Sequence, residues 1–215
     1  MSRFRVIALF GTVVLAACGG GGSGVSLGVQ GPPSAQSIAQ DSKDFPGLQK
    51  CPESGSYDSY LKAEETKNPD QFKTDKATWA DLKASGANDS YIAVYAASAS
   101  DCGQFASGTP AGKVAYVYAI RFKDTTSAAA SYKVTSKDFH LSESDLASLT
   151  AAGGTVQIGS ATGLGDNSTV LSLDIGGLAV YVAFWESKSF EVAMIAFNDA
   201  ADAPGAVTKI NARIR

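Results

Sequence analysis

Histidine is nearly absent: His140 is the single one in 215 residues. A nucleophilic triad needs a base beside its nucleophile, and most metal sites need imidazole ligands, so both chemistries lose their usual donor. His140 stands in KDFHLSES near Asp138, Ser142 and Ser144. Neighbours in sequence are not oriented partners, and no G-x-S-x-G elbow accompanies it. Cysteine is scarce too, three in all and without a C-x-x-C pair, which argues against a redox or zinc motif. The net charge is −3 and no basic run is long enough to follow a phosphate backbone, so nucleic acid is not an expected partner. Beyond the N-terminus no stretch reaches the roughly 18 continuous apolar residues of a membrane span. GLGDNS at 163–168 lacks the third glycine and following helix of a dinucleotide site, and SGTPAGK at 107–113 has the wrong spacing for a P-loop. No cofactor and no metal are expected.

What is present begins at the N-terminus. Arg3 and Arg5 precede an apolar run from Val6 to Leu15, and small Ala16 and Ala17 lead to Cys18. A positive start, an apolar centre of about ten residues and a small-residue exit make a secretory signal over residues 1–17. LAAC at 15–18 resembles the lipobox of bacterial lipoproteins. In that family the cysteine thiol takes a diacylglyceryl group, the peptide is cut before the cysteine, and acyl chains such as palmitate hold the protein to the membrane. Several acyl chains give stable anchoring where one does not. Gly19 to Gly24, GGGGSG, then supplies slack, since Gly/Ser chains behave as flexible coil. Residues 18–44 are expected to be lipidated cysteine and tether, with a reach of about 25–30 Å. The resemblance implies an extracytoplasmic address in the cell envelope. Because Gly19 rather than aspartate follows Cys18, it implies the outer membrane where the organism has one, otherwise the outer face of the plasma membrane.

With Cys18 committed to lipid, Cys51 and Cys102 remain as an even pair in an oxidising compartment and are expected to form a disulfide. Residues 45–215 read as a single globular domain. SGSYDSYLKAEETKNPD and FKTDKATWADLKASG predict two helices divided at Asn68-Pro69, with Thr74 or Asp75 as caps and Gly86 past the end. YIAVYAAS (91–98) and KVAYVYAIRF (113–122) predict strands around a loop that holds Cys102. A helix over the alanines of 123–139, a short helix from Ser142, strands at GTVQIG and STVLSLDIGG, and a hairpin in LAVYVAFWESKSFEVAMIAF follow. Asp199 or Asp202 would cap a last helix, with Pro204 in its first turn. The expectation is an α+β fold, a largely antiparallel sheet of about five to six strands with helices packed against it. A hairpin turn at Ser187-Lys188 would set Trp185 opposite Phe190, Tyr181 opposite Met194 and Phe184 opposite Glu191, with both faces apolar and so covered or lining a cleft.

Element order over about residues 55–212 loosely resembles small extracytoplasmic lipoprotein sensor domains and the Mog1/PsbP-like antiparallel fold. No diagnostic motif carries this, and it transfers no functional residue. The remaining signal is aromatic. Trp185, Tyr181, Tyr118 and Tyr116 lie on strand-like text, and such side chains either build core or offer a recognition surface with a polar atom to satisfy. The small residues Ala115, Val117 and Ala119 opposite Tyr116 and Tyr118 would admit a close helix or a ligand. The favoured expectation is a non-enzymatic binding or sensing module for an envelope protein or small ligand, held to the membrane at Cys18. The alternatives are a carboxylate-based hydrolase of envelope polymers, drawing on two of Glu186, Glu191, Asp174, Asp166 and Asp58, and a carrier of an apolar ligand.

Overall fold

A computed structural model describes residues 33–102, 110–136 and 143–214. Six strands form one antiparallel sheet: β3 (Ala87–Ala96), β4 (Val114–Phe122), β5 (Thr155–Ile158), β6 (Ser168–Ile175), β7 (Leu178–Ser187) and β8 (Phe190–Phe197). Two strands of two residues each, β1 (Gln49–Lys50) and β2 (Gly55–Ser56), both pair with β3. The order across the sheet is β1-β3-β4-β8-β7-β6-β5. The sheet thus has eight strands rather than five or six; β1 and β2 are too short to leave a period in the sequence. Seven helices accompany it: α1 (Ala35–Ala39), α2 (Tyr57–Lys67), α3 (Pro69–Ala84), α4 (Ala99–Cys102), α5 (Thr125–Thr135), α6 (Glu143–Ala151) and α7 (Ala203–Ala212).

The pleat sorts each strand's side chains onto two faces. On the first, Ala115, Val117 and Ala119 of β4 join Trp185, Ala183, Val192 and Met194 under α1 and α7. The small side chains there let α1 approach closely through Ala35 and Ala39. On the second, Val114, Tyr116, Ile120 and Phe122 join Val182 and Ile195, with Tyr57 and Leu61 of α2 and Trp79 and Leu82 of α3. Tyr132 of α5 stacks on Phe184 of β7 at 4.9 Å and adds a third patch to that face.

The fold begins earlier than the expected tether allows. Ser34 caps α1 by accepting from the Ser37 N–H at 3.1 Å, and Ala35, Ile38, Ala39 and Phe45 are fully buried. Arg213, just past α7, clasps this segment: it donates to the Ile38 carbonyl and to both oxygens of buried Asp44, at 2.8 and 2.6 Å. Residues 35–45 therefore belong to the folded domain, with Ile38 and Phe45 buried in the first-face core beside α7 residues. Cys51 and Cys102 are joined, with their Cα atoms 5.6 Å apart.

The β7–β8 hairpin keeps its expected faces but not its expected partners. Ser187 meets Phe190 and Trp185 meets Val192, so the turn residues are Lys188 and Ser189. Lys188 takes a left-handed φ of 52°, and the Ser189 carbonyl accepts from the Phe122 N–H of β4 at 2.7 Å. The whole pairing is displaced by two residues, which preserves every side chain's face. The last helix also starts without the expected carboxylate cap: Asp202 stands at the N-cap, but its side chain accepts no capping hydrogen bond. Asp199 instead accepts from the Lys113 ammonium at 2.6 Å.

Candidate functional site

Asn68 and Pro69 start α3: the Asn68 side chain accepts from the Gln71 N–H at 3.4 Å, and the fixed φ of proline suits the first turn. Thr74 and Asp75, expected as caps, lie inside the helix. With this start, Gln71, Thr74, Asp75, Thr78 and Leu82 fall three or four residues apart on one side of α3. That side faces the sheet across a cleft of about 110 Å³ closed by Tyr57, the first residue of α2, and Tyr118 of β4.

The cleft walls are aromatic. The Tyr57 and Tyr118 rings stack at 5.4 Å, and Tyr57 also meets Tyr60 and Trp79, each at 5.2 Å. The buried Tyr118 hydroxyl has no hydrogen-bond partner. Asp75, 7% exposed, accepts from the Tyr60 hydroxyl at 2.6 Å and from Gln71 Nε2 at 2.8 Å. Burial raises the Tyr57 and Tyr60 phenols above their ordinary range; the Asp75 hydrogen bond and charge raise Tyr60 further, and that charge also raises Tyr57. Burial holds Tyr118 well above its ordinary value, and its neighbours Tyr57, Tyr116, Glu191 and Asp75 add to the effect. The phenols therefore stay neutral, and the charge in this cleft comes from Asp75.

A second polar feature lies on the same face beneath α5. Glu191 of β8 is 3% exposed; one oxygen accepts from the Thr135 hydroxyl at 3.0 Å and the other has no partner. Burial pushes its carboxyl up to about 7, against the pull of hydrogen bonds from Ser131 and Thr135 and with the help of Glu186. Glu186 is its cross-strand partner and accepts from the Asn167 side-chain amide at 3.0 Å.

The four candidate aromatics, read as core or recognition surface, do not share one surface. Trp185 and Tyr181 belong to the first face and are buried under α7 and α1, where Trp185 Nε1 donates to Asn211 Oδ1 at 3.1 Å. A strand alternates faces, so these two cannot meet Tyr116 and Tyr118. Tyr116 is buried in the second-face core, and Tyr118 alone of the four reaches the cleft. Of the acidic candidates, Asp58 accepts from Trp79 Nε1 at 2.9 Å and Asp174 from the Gly177 N–H at 2.7 Å, both structural roles. Asp166 is exposed; only Glu186 and Glu191 converge. Cys18 and His140 lie outside the described residues. Among the described residues, Cys51, Glu53 and Cys102 are close enough to share a metal ion, but both sulfurs are consumed in the disulfide.

The reading of the residues missed Gln71, Thr74, Asp75 and Thr78. Their signal is a polar stripe at helical spacing, legible only when Asn68-Pro69 is the cap that sets the phase of α3 rather than a break between helices. Comparison with protein-family models, with curated proteins and with solved structures finds no match to this chain.

Proposed function

We propose that this chain is an extracytoplasmic lipoprotein, anchored through Cys18, whose domain is a non-enzymatic binding module that admits a small polar group into the cleft beneath α3. One observation carries the binding reading: a buried Tyr118 hydroxyl without a partner borders an aromatic cleft that also holds a carboxylate. Leaving a buried hydroxyl unpaired costs about 1–3 kcal/mol, and a ligand that supplies the partner recovers it. At about 110 Å³ the cleft is smaller than the roughly 150 Å³ cavity that accepts a benzene ring, so the ligand enters as a group of a few atoms. It is also well below the roughly 300 Å³ of a drug-sized pocket, so this cleft is not itself the cavity of an apolar carrier.

Address and binding are tested separately. In a bacterial host, Cys18→Ser is expected to move the protein from the membrane fraction to the soluble extracytoplasmic fraction; unchanged membrane association would end the anchoring proposal. For binding, amide spectra of the full lipidated chain in micelles are titrated with fragments of up to about six non-hydrogen atoms. Shifts are expected at Tyr57, Tyr118 and residues 71–82, and they should vanish in Thr78→Phe, whose ring fills the cleft. Silence at those positions across the fragment set removes the binding reading.

A second reading, hydrolysis by paired carboxylates, draws on Glu186 and Glu191 facing each other with unlike environments. Glu191 sits beneath α5, so a polymer reaches it only if that helix lifts. Loss of hydrolysis of purified envelope glycan in both Glu186→Gln and Glu191→Gln would favour this reading; no hydrolysis by the parent chain sets it aside.

A further inference from the structure

The hydrogen-bond inventory of the cleft narrows what its ligand can be. The Thr78 hydroxyl donates to the Thr74 carbonyl at 3.1 Å, and the Thr74 hydroxyl donates to the Asp70 carbonyl at 3.3 Å. Both threonine oxygens therefore have only lone pairs to offer. Asp75 offers the lone pairs left over from Tyr60 and Gln71, and Tyr118 offers an oxygen with no partner at all. The cleft is thus rich in acceptors, with one N–H of Gln71 and the O–H groups of Tyr57 and Tyr118 as its spare donors.

Its charge is uncompensated as well. Among the described residues no lysine or arginine nitrogen lies within 4.0 Å of Asp75. The two lysines that follow on α3 turn elsewhere: Lys76 lies over the Phe72 ring at 5.1 Å and Lys83 over Trp79 at 5.4 Å. A buried carboxylate is ordinarily paired. Here two neutral donors hold it at the lining of a cleft, between phenol rings whose faces attract a cation.

We propose that this cleft binds a primary ammonium group on a short unbranched stem, the ammonium hydrogens going to Asp75, Tyr118 Oη and the threonine oxygens and the stem lying against Tyr57 and Leu82. The proposal rests on the reading of the cleft as a ligand site and adds the ligand's chemistry. A methylated ammonium without N–H groups matches the charge but leaves the acceptors empty. A neutral alcohol of the same shape matches the volume but leaves the charge unanswered.

The test uses the full lipidated chain in micelles at constant ionic strength, read through the amides of α3 and the indole N–H of Trp79. The probes are propylammonium, 1-propanol, tetramethylammonium and a capped lysine, acetyl-lysine amide. Propylammonium is expected to saturate with a Kd on the order of 1 mM, as suits a ligand of four heavy atoms, and to bind at least tenfold more tightly than propanol or tetramethylammonium. Capped lysine binding as tightly as propylammonium identifies a lysyl side chain of a partner as the source; weaker binding identifies a free amine. Asp75→Asn should lose at least tenfold and Tyr118→Phe about threefold or more. If Asp75→Asn fails to fold, Tyr118→Phe, which removes only an unpartnered atom, carries the decision. Propanol or tetramethylammonium binding as well as propylammonium, or a folded Asp75→Asn or Tyr118→Phe with unchanged affinity, overturns the ammonium assignment and leaves a binding cleft. No cleft response to any probe overturns both.

Discussion

The two faces of the sheet are built to different standards. On the first, Trp185 Nε1 has Asn211, the Tyr95 hydroxyl has the Ala39 carbonyl at 3.1 Å, and Asp44 has the fork of Arg213; before α7, Asp199 keeps one oxygen on Lys113 and the other unpartnered. On the second, Tyr118 Oη and Glu191 Oε2 are buried without partners, and helices α2, α3 and α5 enclose a cleft and a carboxyl pushed up to about 7. Buried polar atoms are nearly always satisfied. On the second face the departures lie within the strands themselves, beside a cleft, and there they point to function.

The contrast can be broken in four ways. Trp185→Ala strikes the satisfied face and is expected to cost about 3–5 kcal/mol in urea denaturation, through the lost ring and the stranded Asn211. A loss below about 1 kcal/mol would mean that this face is not the stabilising one. Next comes the staple on the other face. Replacing Cys51 and Cys102 together by serine should cost about 4 kcal/mol in the chain-entropy account, given the sequence separation of 51. A small effect would show that the second face holds together without help.

Glu191→Gln probes the carboxyl under α5. Burial raises Glu191 from 4.5 to about 7, so between those values the folded chain keeps a proton that the unfolded chain releases. Its contribution to stability is most favourable below about 4.5, falls as pH rises toward 7 and is flat above. Glu191→Gln should remove that slope and raise stability at pH 8 by about 2 kcal/mol, read from melts at a series of pH values. An unchanged slope would mean that Glu191 ionises normally. The smallest effect belongs to Tyr118→Phe. Removing an unpartnered hydroxyl should leave stability unchanged or raise it by about 1 kcal/mol; a marked loss in calorimetry would reveal a partner for Tyr118 and erase the contrast.

Much of this architecture is legible in the chain. The strands β3 to β8 announce themselves by β-branched and aromatic residues. The Gly176-Gly177 turn between β6 and β7, both residues at positive φ, is a local signal that needs no tertiary help. The β7–β8 turn is different: Lys188-Ser189 offers no glycine, asparagine or aspartate for the positive φ that Lys188 adopts, and the turn is tied down by the bond from Phe122 of a distant strand. Faces survive such a slip because side chains repeat every two residues; partners do not. The misplaced tether has the same origin, since Ala35, Ile38 and Phe45 lack a period long enough to read and are held by Arg213, some 170 residues away. For the cleft, the aromatic Tyr118 could be named from the sequence, but Trp185 and Tyr181 could not be assigned to the opposite face until the sheet's covering helices were known.

The grip of Arg213 on Ile38 and Asp44 makes the two ends of the described chain a single mechanical joint. Under the proposed anchoring, a tug from the lipid end meets β3 and β4 before it meets that joint, since the Ala35 N–H donates to Asp89 at 2.7 Å and Arg121 donates to the Pro33 carbonyl at 3.5 Å. The tyrosine cleft lies on the opposite face of the sheet from that joint, so the two can be altered independently.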